Sequence, residues 1–306
     1  MNKKITALTV TALASFALLG CNSDSDNDTE SSNVNTGDTL ILTANGMISS
    51  VDRSMPDKLV SNSKIKGLMS GDELVGIDYR PKDGKLYAVG LQGNLYTLNP
   101  NNGEASFLRK LIADPSDNTD GNASFTQIMG DANLITVNFN PAADRLRVIS
   151  NTGQNLRINV DTGATITDGT INLATGSAAV VAGAYTNAFA GTGSTKLYSI
   201  DQNSDRIYLQ NANAGTLGNS TALGADINTN GGGGFDIDPV SNVGFAALKL
   251  ASGNYKFFKL NLANVGTSND AVFESHDLNN SFNSMGIRGI ALKRSTDATA
   301  QGYGLT

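Results

Sequence analysis

Five short apolar segments recur along this chain in one frame, each with alternating side chains and a polar or glycine-containing turn near its end. They begin at Gly76, Thr136, Ala182, Gly234 and Gly289, which are 60, 46, 52 and 55 residues apart. A period of this size fits one propeller blade of four antiparallel strands with their turns. The repeat therefore predicts a ring of β-sheet blades.

The two ends of the repeat array are complementary. Residues 39–43, 46–51 and 58–68 read as second, third and outer strands with no first strand before them, and the last copy, 289–293, has no strands after it. Pairing the C-terminal strand with the N-terminal strands completes a fifth blade and removes two exposed sheet edges. The sequence thus predicts an all-β fold, a five-bladed β-propeller closed in this way.

Composition agrees with many short strands and tight turns. The chain of 306 residues contains 33 Gly, only 16% charged residues and a single cysteine, Cys21. Asn, Asp, Ser and Thr crowd between the apolar segments, as in β-turns. One cysteine can form neither an internal disulfide nor a thiolate metal site.

The N-terminus has the pattern of an export signal. Lys3 and Lys4 precede the apolar segment 5–19, and the segment 18–21, Leu-Leu-Gly-Cys, resembles the lipobox of bacterial lipoproteins. We expect residues 1–20 to be a signal peptide and Cys21 to be lipidated. By resemblance to enterobacterial sorting, Asn22 favours the outer membrane, so the expected location is the cell envelope.

The remaining boundaries follow from composition. Residues 21–37 are polar and acidic and are predicted to be a disordered tether, followed by the propeller domain at 38–294 and a C-terminal tail at 295–306. Removal of the signal peptide takes away Lys3 and Lys4 and no acid, which changes the formal net charge from −6 to −8. An acidic surface repels phosphate backbones and argues against a nucleic-acid partner.

The segment 138–159, which runs from Asn138-Phe139-Asn140-Pro141 to Leu156-Arg157-Ile158-Asn159, resembles an uncharacterised bacterial group, the domain of unknown function 4394 family. Supporting matches lie at 76–81, 184–187 and 234–237, so the resemblance covers roughly residues 40–293. It implies an exported, propeller-like protein. It implies no reaction, because none is established for the family.

Several polar residues are candidates for the ring centre or for an anion site. Asp78, Asn138 and Asp236 occupy equivalent positions of three first strands, and are expected at one level around the ring. Arg147 and Arg157 lie on neighbouring strands, where two converging cations require carboxylates or a bound anion. We favour turn and salt-bridge roles, with Asp144, Asp161, Asp78 and Asp236 as the available carboxylates, over channel or anion binding.

One pattern suggests a metal. Asp226, Asn228 and Asn230 match the start of a calcium loop, but Ile237 stands where the bidentate glutamate belongs. A divergent, non-helical calcium loop could recruit Asp236 or Asp238. The expectation is no cofactor, with calcium as the open alternative.

The usual catalytic side chains are scarce. His276 is the only histidine, the cysteine is assigned to lipid, and no phosphate loop opens a helix. The preferred hypothesis is a non-catalytic binding or assembly propeller with an envelope protein or glycan as partner. The alternatives are a calcium-assisted, lactonase-like hydrolase with its metal in the channel, and a calcium-dependent adhesion or carbohydrate-binding module that uses the long surface loop 113–133.

Overall fold

The computed structural model describes residues 35–119, 123–228 and 230–293. Within them, 21 strands form five sheets, the blades of a propeller. Blade 1 contains β1 (Thr39–Thr43), β2 (Met47–Asp52) and β3 (Met55–Lys64). Blade 2 contains β4 (Leu74–Tyr79), β5 (Leu86–Gly90), β6 (Asn94–Leu98) and β7 (Ala105–Lys110). Blade 3 contains β8 (Ile112–Ala113), β9 (Ile135–Asn140), β10 (Arg145–Ser150), β11 (Asn155–Ile158) and β12 (Ala164–Thr167).

The C-terminal half supplies two further blades and the closing strand. Blade 4 contains β13 (Val180–Tyr185), β14 (Leu197–Asp201), β15 (Arg206–Gln210) and β16 (Leu217–Ala222). Blade 5 contains β17 (Gly233–Ile237), β18 (Gly244–Lys249), β19 (Tyr255–Leu260) and β20 (Val272–Asp277). A 3₁₀ turn at Leu262–Asn264 and a short helix, α1 (Phe282–Met285), precede β21 (Ile287–Leu292). Among the described residues, no helix has the length and apolar character needed to span a membrane.

The last strand closes the ring on the first. β21 pairs antiparallel with β1, with Leu40 opposite Ala291 and Ile41 opposite Ile290, and becomes the innermost strand of blade 1. The five inner strands contact one another in the cyclic order β21, β4, β9, β13, β17 and back to β21. The predicted five-bladed propeller and its closure by the C-terminal strand are confirmed.

Glycines in the inner strands allow the blades to approach closely. A Cβ atom on Gly76 would lie 2.3 Å from Cγ2 of Val137 in the next blade, and one on Gly234 would lie 2.4 Å from the backbone nitrogen of Ile290. Neither position has room for a side chain. Gly76 and Gly234, which begin two of the five repeats, are thus required for blade packing.

Some boundaries differ from the sequence-based expectations. The outer strand of blade 1 is Met55–Lys64 rather than 58–68, and blade 3 has a fifth strand because β8 pairs in parallel with β12. The loop 113–133, expected on the surface, buries Phe125 and Ile128 in the core beside Leu111. Burial of these apolar side chains between blades 2 and 3 is favourable in free energy, because it removes their apolar surface from water.

Candidate functional site

The three polar residues of the inner strands link neighbouring blades. Asp78 Oδ2 accepts a hydrogen bond from the Phe139 backbone N–H at 2.6 Å, and Asp236 Oδ2 accepts one from the Leu292 N–H at 2.8 Å. Asn138 Oδ1 likewise accepts from the Tyr185 N–H at 2.9 Å. Each side chain therefore binds the backbone of the next blade.

The centre of the ring is filled at this level. Asn138 Nδ2 donates to Asp236 Oδ1 at 3.3 Å, which joins blade 3 to blade 5 past blade 4. A cavity between the inner strands has a volume of about 10 Å³, room for one water at most. Arg288 lines it and donates to the Leu74 carbonyl and to Asn133 Oδ1. Burial raises the pKa of Asp236 to about 6.

The residues of the predicted calcium loop lie at the edge of blade 5. Asn228 Oδ1 accepts from the Asn230 N–H at 2.8 Å and so closes a turn, while the Asp226 carbonyl accepts from the Ala251 N–H. In the described part of the chain, no hydrogen bond joins Asp236 to this turn, and no group of three or more His, Cys, Asp or Glu residues is placed to hold a metal. Calcium binding here stays a prediction.

The structure brings Arg147 and Arg157 together on one carboxylate, that of Asp168. Arg147 Nη1 lies 2.6 Å from Asp168 Oδ2, and Arg157 Nη2 lies 2.9 Å from Asp168 Oδ1. Arg147 also donates to Tyr185 Oη and Asn213 Oδ1 of blade 4. The sequence analysis missed Asp168, which directly follows β12. Asp161 and Asp168 are the first two acidic residues after the hairpin that carries the two arginines.

Two carboxylates expected near those arginines bind Arg80 instead. Arg80, only 4% exposed, directly follows the inner strand of blade 2 and contacts Asp144 and Asp161 of blade 3 through paired hydrogen bonds of 2.7–2.8 Å. The guanidinium lowers the pKa of both carboxyl groups. The sequence analysis did not identify Arg80 as a site residue. The feature that could have identified it is an arginine at the position where two other repeats have Asn140 and Asp238.

In the part of the chain that the structure describes, an arginine crosses four of the five junctions between blades. Besides Arg80 between blades 2 and 3 and Arg147 between blades 3 and 4, Arg53 of blade 1 binds Asp238 of blade 5 at 2.7 Å. Arg288 of blade 1 lies 2.8 Å from Glu73, which leads into blade 2. Buried or half-buried guanidiniums with several partners fix the relative position of the sheets they join.

The junction between blades 4 and 5 is different. Among the described residues no arginine contacts both blades. The inner strand of blade 4 has Ala184, and that of blade 1 has Ala291, where the other three blades carry the bridging Asp or Asn. Asn187 and Asn242 join the adjoining loops instead: the Asn187 N–H donates to Asn242 Oδ1 and Asn242 Nδ2 donates to Asn187 Oδ1, both at 2.9 Å. Both residues have a positive φ, a backbone conformation that asparagine tolerates.

A cleft of about 900 Å³ opens at this junction. Its walls come from the β13–β14 and β17–β18 loops, the 3₁₀ turn and the outer strands of blades 4 and 5. Its floor is apolar and its rim carries amides and hydroxyls. The lining includes Asn187, Ser194, Lys196, Asn219, Asn242 and Phe273. The volume of the cleft lies within the range of small-molecule sites.

Apolar side chains stand exposed around this cleft. Phe273 on β20 is 56% exposed, and Phe189 and Val240 are exposed in the two loops that Asn187 and Asn242 join. Exposed aromatic groups that border a concave surface are typical of recognition sites. The sequence analysis did not identify this cleft, because its walls come from loops and strands of two blades whose relative position the sequence does not give. The cleft is the candidate functional site.

Comparisons with known proteins give a family but no activity. No curated protein has a sequence that matches this chain. Among solved structures, a dihydro-heme d1 dehydrogenase, NirN, in complex with DHE is 13% identical with a TM-score of 0.36, and the match covers 78% of this chain and 45% of that one. The chain thus spans less than half the length of NirN. The glutaminyl cyclase of Myxococcus xanthus is also 13% identical with a TM-score of 0.36, over 76% of this chain and 75% of the enzyme.

The family comparison covers most of the propeller. The sequence family described as Domain of unknown function (DUF4394) matches residues 47–287, from β2 of the first blade to the start of the closing strand. This confirms the resemblance noted in the sequence: the chain belongs to the DUF4394 family.

Proposed function

We propose that this protein is a lipid-anchored protein of the cell envelope whose propeller acts as a non-catalytic binding module, with the cleft between blades 4 and 5 as its ligand site. The observation that carries the proposal is the position of the cleft. A cleft of about 900 Å³ lies at the junction of blades 4 and 5, where no arginine of the described part of the chain contacts both blades. A cleft on a rigid ring is suited to presenting a fixed binding surface.

The other polar clusters have structural roles in this proposal. Arg80 and Arg147 are almost completely buried, and their guanidinium nitrogens are occupied by carboxylate, amide or hydroxyl oxygens. Asp78 and Asp236 accept backbone hydrogen bonds in the ring centre. Groups held in this way stabilise blade junctions and offer little access to a substrate.

The anchor is proposed from the N-terminal motif. Cys21, residues 1–20 and most of the tether 21–37 lie outside the described residues, as does the tail 295–306. An acylated Cys21 would hold the domain at a membrane surface.

Two experiments test this proposal. Metabolic labelling with an alkynyl fatty acid, followed by fractionation, should label the wild type in membranes and leave Cys21→Ala unlabelled; labelling of both would contradict the anchor.

For the binding role, the immobilised protein should retain an envelope component. Retention should be weaker for Phe273→Ala and unchanged for Phe107→Ala, which alters an exposed aromatic on the outer strand of blade 2. Repeating the capture with a chelator tests the calcium-dependent alternatives.

A further inference from the structure

We infer that the ligand of the cleft between blades 4 and 5 is an acidic oligosaccharide, whose carboxylate pairs with Lys196 and whose sugar ring packs on Phe273. The inference rests on the proposed function and adds the ligand class. Three features of the cleft support it: its charge, its polar groups and its exposed aromatic ring.

The charge of the cleft is opposite to that of the protein. Lys196 is the one charged residue among those that line the cleft, it is exposed, and no ion pair involves it within the described part of the chain. By contrast, Lys82, Lys256 and Lys259 each lie within 3.2 Å of a carboxylate. In a chain with a formal net charge of −6, a lone unpaired ammonium group in a cleft attracts an anion.

The number of charges limits the class of ligand. Polyphosphates and nucleic acids are bound by clusters of cations, because each phosphate needs neutralisation. The cleft lining supplies one cation, which suits a ligand with widely spaced single charges. Acidic sugars alternate such carboxylates with neutral hydroxyl groups.

The polar groups of the rim suit hydroxyl-rich ligands. Asn187 and Asn242 hold each other through two hydrogen bonds, and Asn187 Nδ2 also donates to the Ser194 carbonyl, so the two loops present a fixed wall. Asn219 and Ser194 are exposed on this rim. Amide and hydroxyl groups both donate and accept, as do the hydroxyls of a sugar.

Phe273 supplies the apolar part of the site. It lies on the outermost strand of blade 5, exposes 56% of its surface and borders the cleft. The C–H face of a pyranose ring placed on it would remove apolar area of both partners from water. A sugar with a carboxylate directed to Lys196 would thus contact all three features.

Calorimetric titration of the full-length, detergent-solubilised protein tests the inference. The probes are hexamers of galacturonic acid and of mannuronic acid, with neutral galactose and mannose hexamers as controls. We expect an acidic hexamer to bind, with an affinity that falls as salt is raised. Lys196→Gln should weaken this binding about tenfold or more, since it removes a charge-assisted contact.

Matched controls exclude general effects of charge and folding. Lys85 stands immediately before the second strand of blade 2, as Lys196 does in blade 4, and is also exposed. Lys85→Gln should leave the affinity unchanged, and the melting temperatures of both variants should equal that of the wild type. Phe273→Ala should weaken binding, whereas Phe107→Ala should not.

Some experimental outcomes would overturn the acidic-sugar inference alone, and others would also overturn the proposed function. If no acidic hexamer binds, if the neutral hexamers bind as well, or if Lys196→Gln matches Lys85→Gln, the acidic-sugar inference is overturned. The proposed binding role would still stand if envelope capture depended on Phe273. If capture is the same for wild type and Phe273→Ala, the cleft is not the ligand site and both are overturned.

Discussion

Arg80 of blade 2 binds Asp144 of blade 3 through two parallel hydrogen bonds, from Nε to Oδ1 at 2.8 Å and from Nη2 to Oδ2 at 2.7 Å. The same guanidinium binds Asp161 through Nη1 and Nη2, so one buried arginine closes a blade junction. Comparable arginine contacts cross three further junctions. The cleft lies at the fifth, and the functional proposal depends on this difference.

Removal of the Arg80 side chain should destabilise the protein. Arg80→Ala leaves two carboxylates without their partner, but Asp144 and Asp161 are partly exposed and regain water. We therefore expect a loss of about 2–3 kcal/mol in the free energy of unfolding, at the low end for buried ion pairs. Lys82→Ala removes an exposed contact to Asp144 and should cost less than about 1 kcal/mol. Chemical denaturation measures both, and equal costs would contradict the account.

The Arg147–Asp168–Arg157 cluster provides a second stability test. Asp168→Asn leaves the Arg147 charge buried, with 3% of its side chain exposed, and should cost about 3–5 kcal/mol. Arg157 is 31% exposed, so Arg157→Gln should cost about 1 kcal/mol or less. Chemical denaturation measures both costs, and equal costs for Asp168→Asn and Arg157→Gln would contradict the assignment of Asp168 as the buried partner of Arg147.

The ring architecture was predictable from the sequence because it depends on local signals. Alternating apolar residues, glycine-rich turns and a regular period define the strands, and the unmatched ends require circular closure. The partners of Arg80 and Arg147 were not predictable in the same way, because they depend on how far one blade is rotated against the next. The same holds for the cleft, whose walls come from loops and strands of two different blades. Phe125 and Ile128 show that apolar residues within a polar loop can indicate burial.

The stability of the protein should depend on pH through Asp236. Burial raises its pKa to about 6 in the folded state, above the ordinary value of 3.8, so the folded protein keeps a proton that the unfolded chain releases. The stabilisation of the folded state by this bound proton is complete below about pH 4 and is lost as the pH rises through 6. Between pH 4 and 7 the wild type should lose on the order of 2 kcal/mol relative to Asp236→Asn.

Asp144→Asn is the control for this measurement, with the opposite sign. Arg80 lowers the pKa of Asp144, so the ionised Asp144 carboxylate stabilises the folded state above about pH 4. This stabilisation is lost as the pH falls further. Denaturation curves at several pH values for the three proteins separate the two groups. An Asp236→Asn curve parallel to that of the wild type would show that Asp236 does not titrate in this range.

A covalent link between β1 and β21 tests ring closure. Leu40 and Ala291 are directly opposite in the antiparallel pair, where Cα separations suit a disulfide. In a Cys21→Ser background, Leu40→Cys with Ala291→Cys should oxidise, migrate faster without reductant and be about 3–5 kcal/mol more stable than the same variant in its reduced form. Leu40→Cys paired with Ile112→Cys, on the outer edge of blade 3, should not cross-link. Failure of the first pair, or cross-linking of the second, would contradict the closed ring.

The central claim is that the protein recognises its ligand at the junction of blades 4 and 5, and site-specific photo-cross-linking in cells tests it most directly. Photoreactive benzoylphenylalanine would replace Phe273 in the cleft or, in a separate strain, Phe107 on the outer strand of blade 2. The account expects a covalent envelope adduct from position 273 and none from position 107. Equal adducts from both positions, or an adduct from position 107 alone, would contradict it.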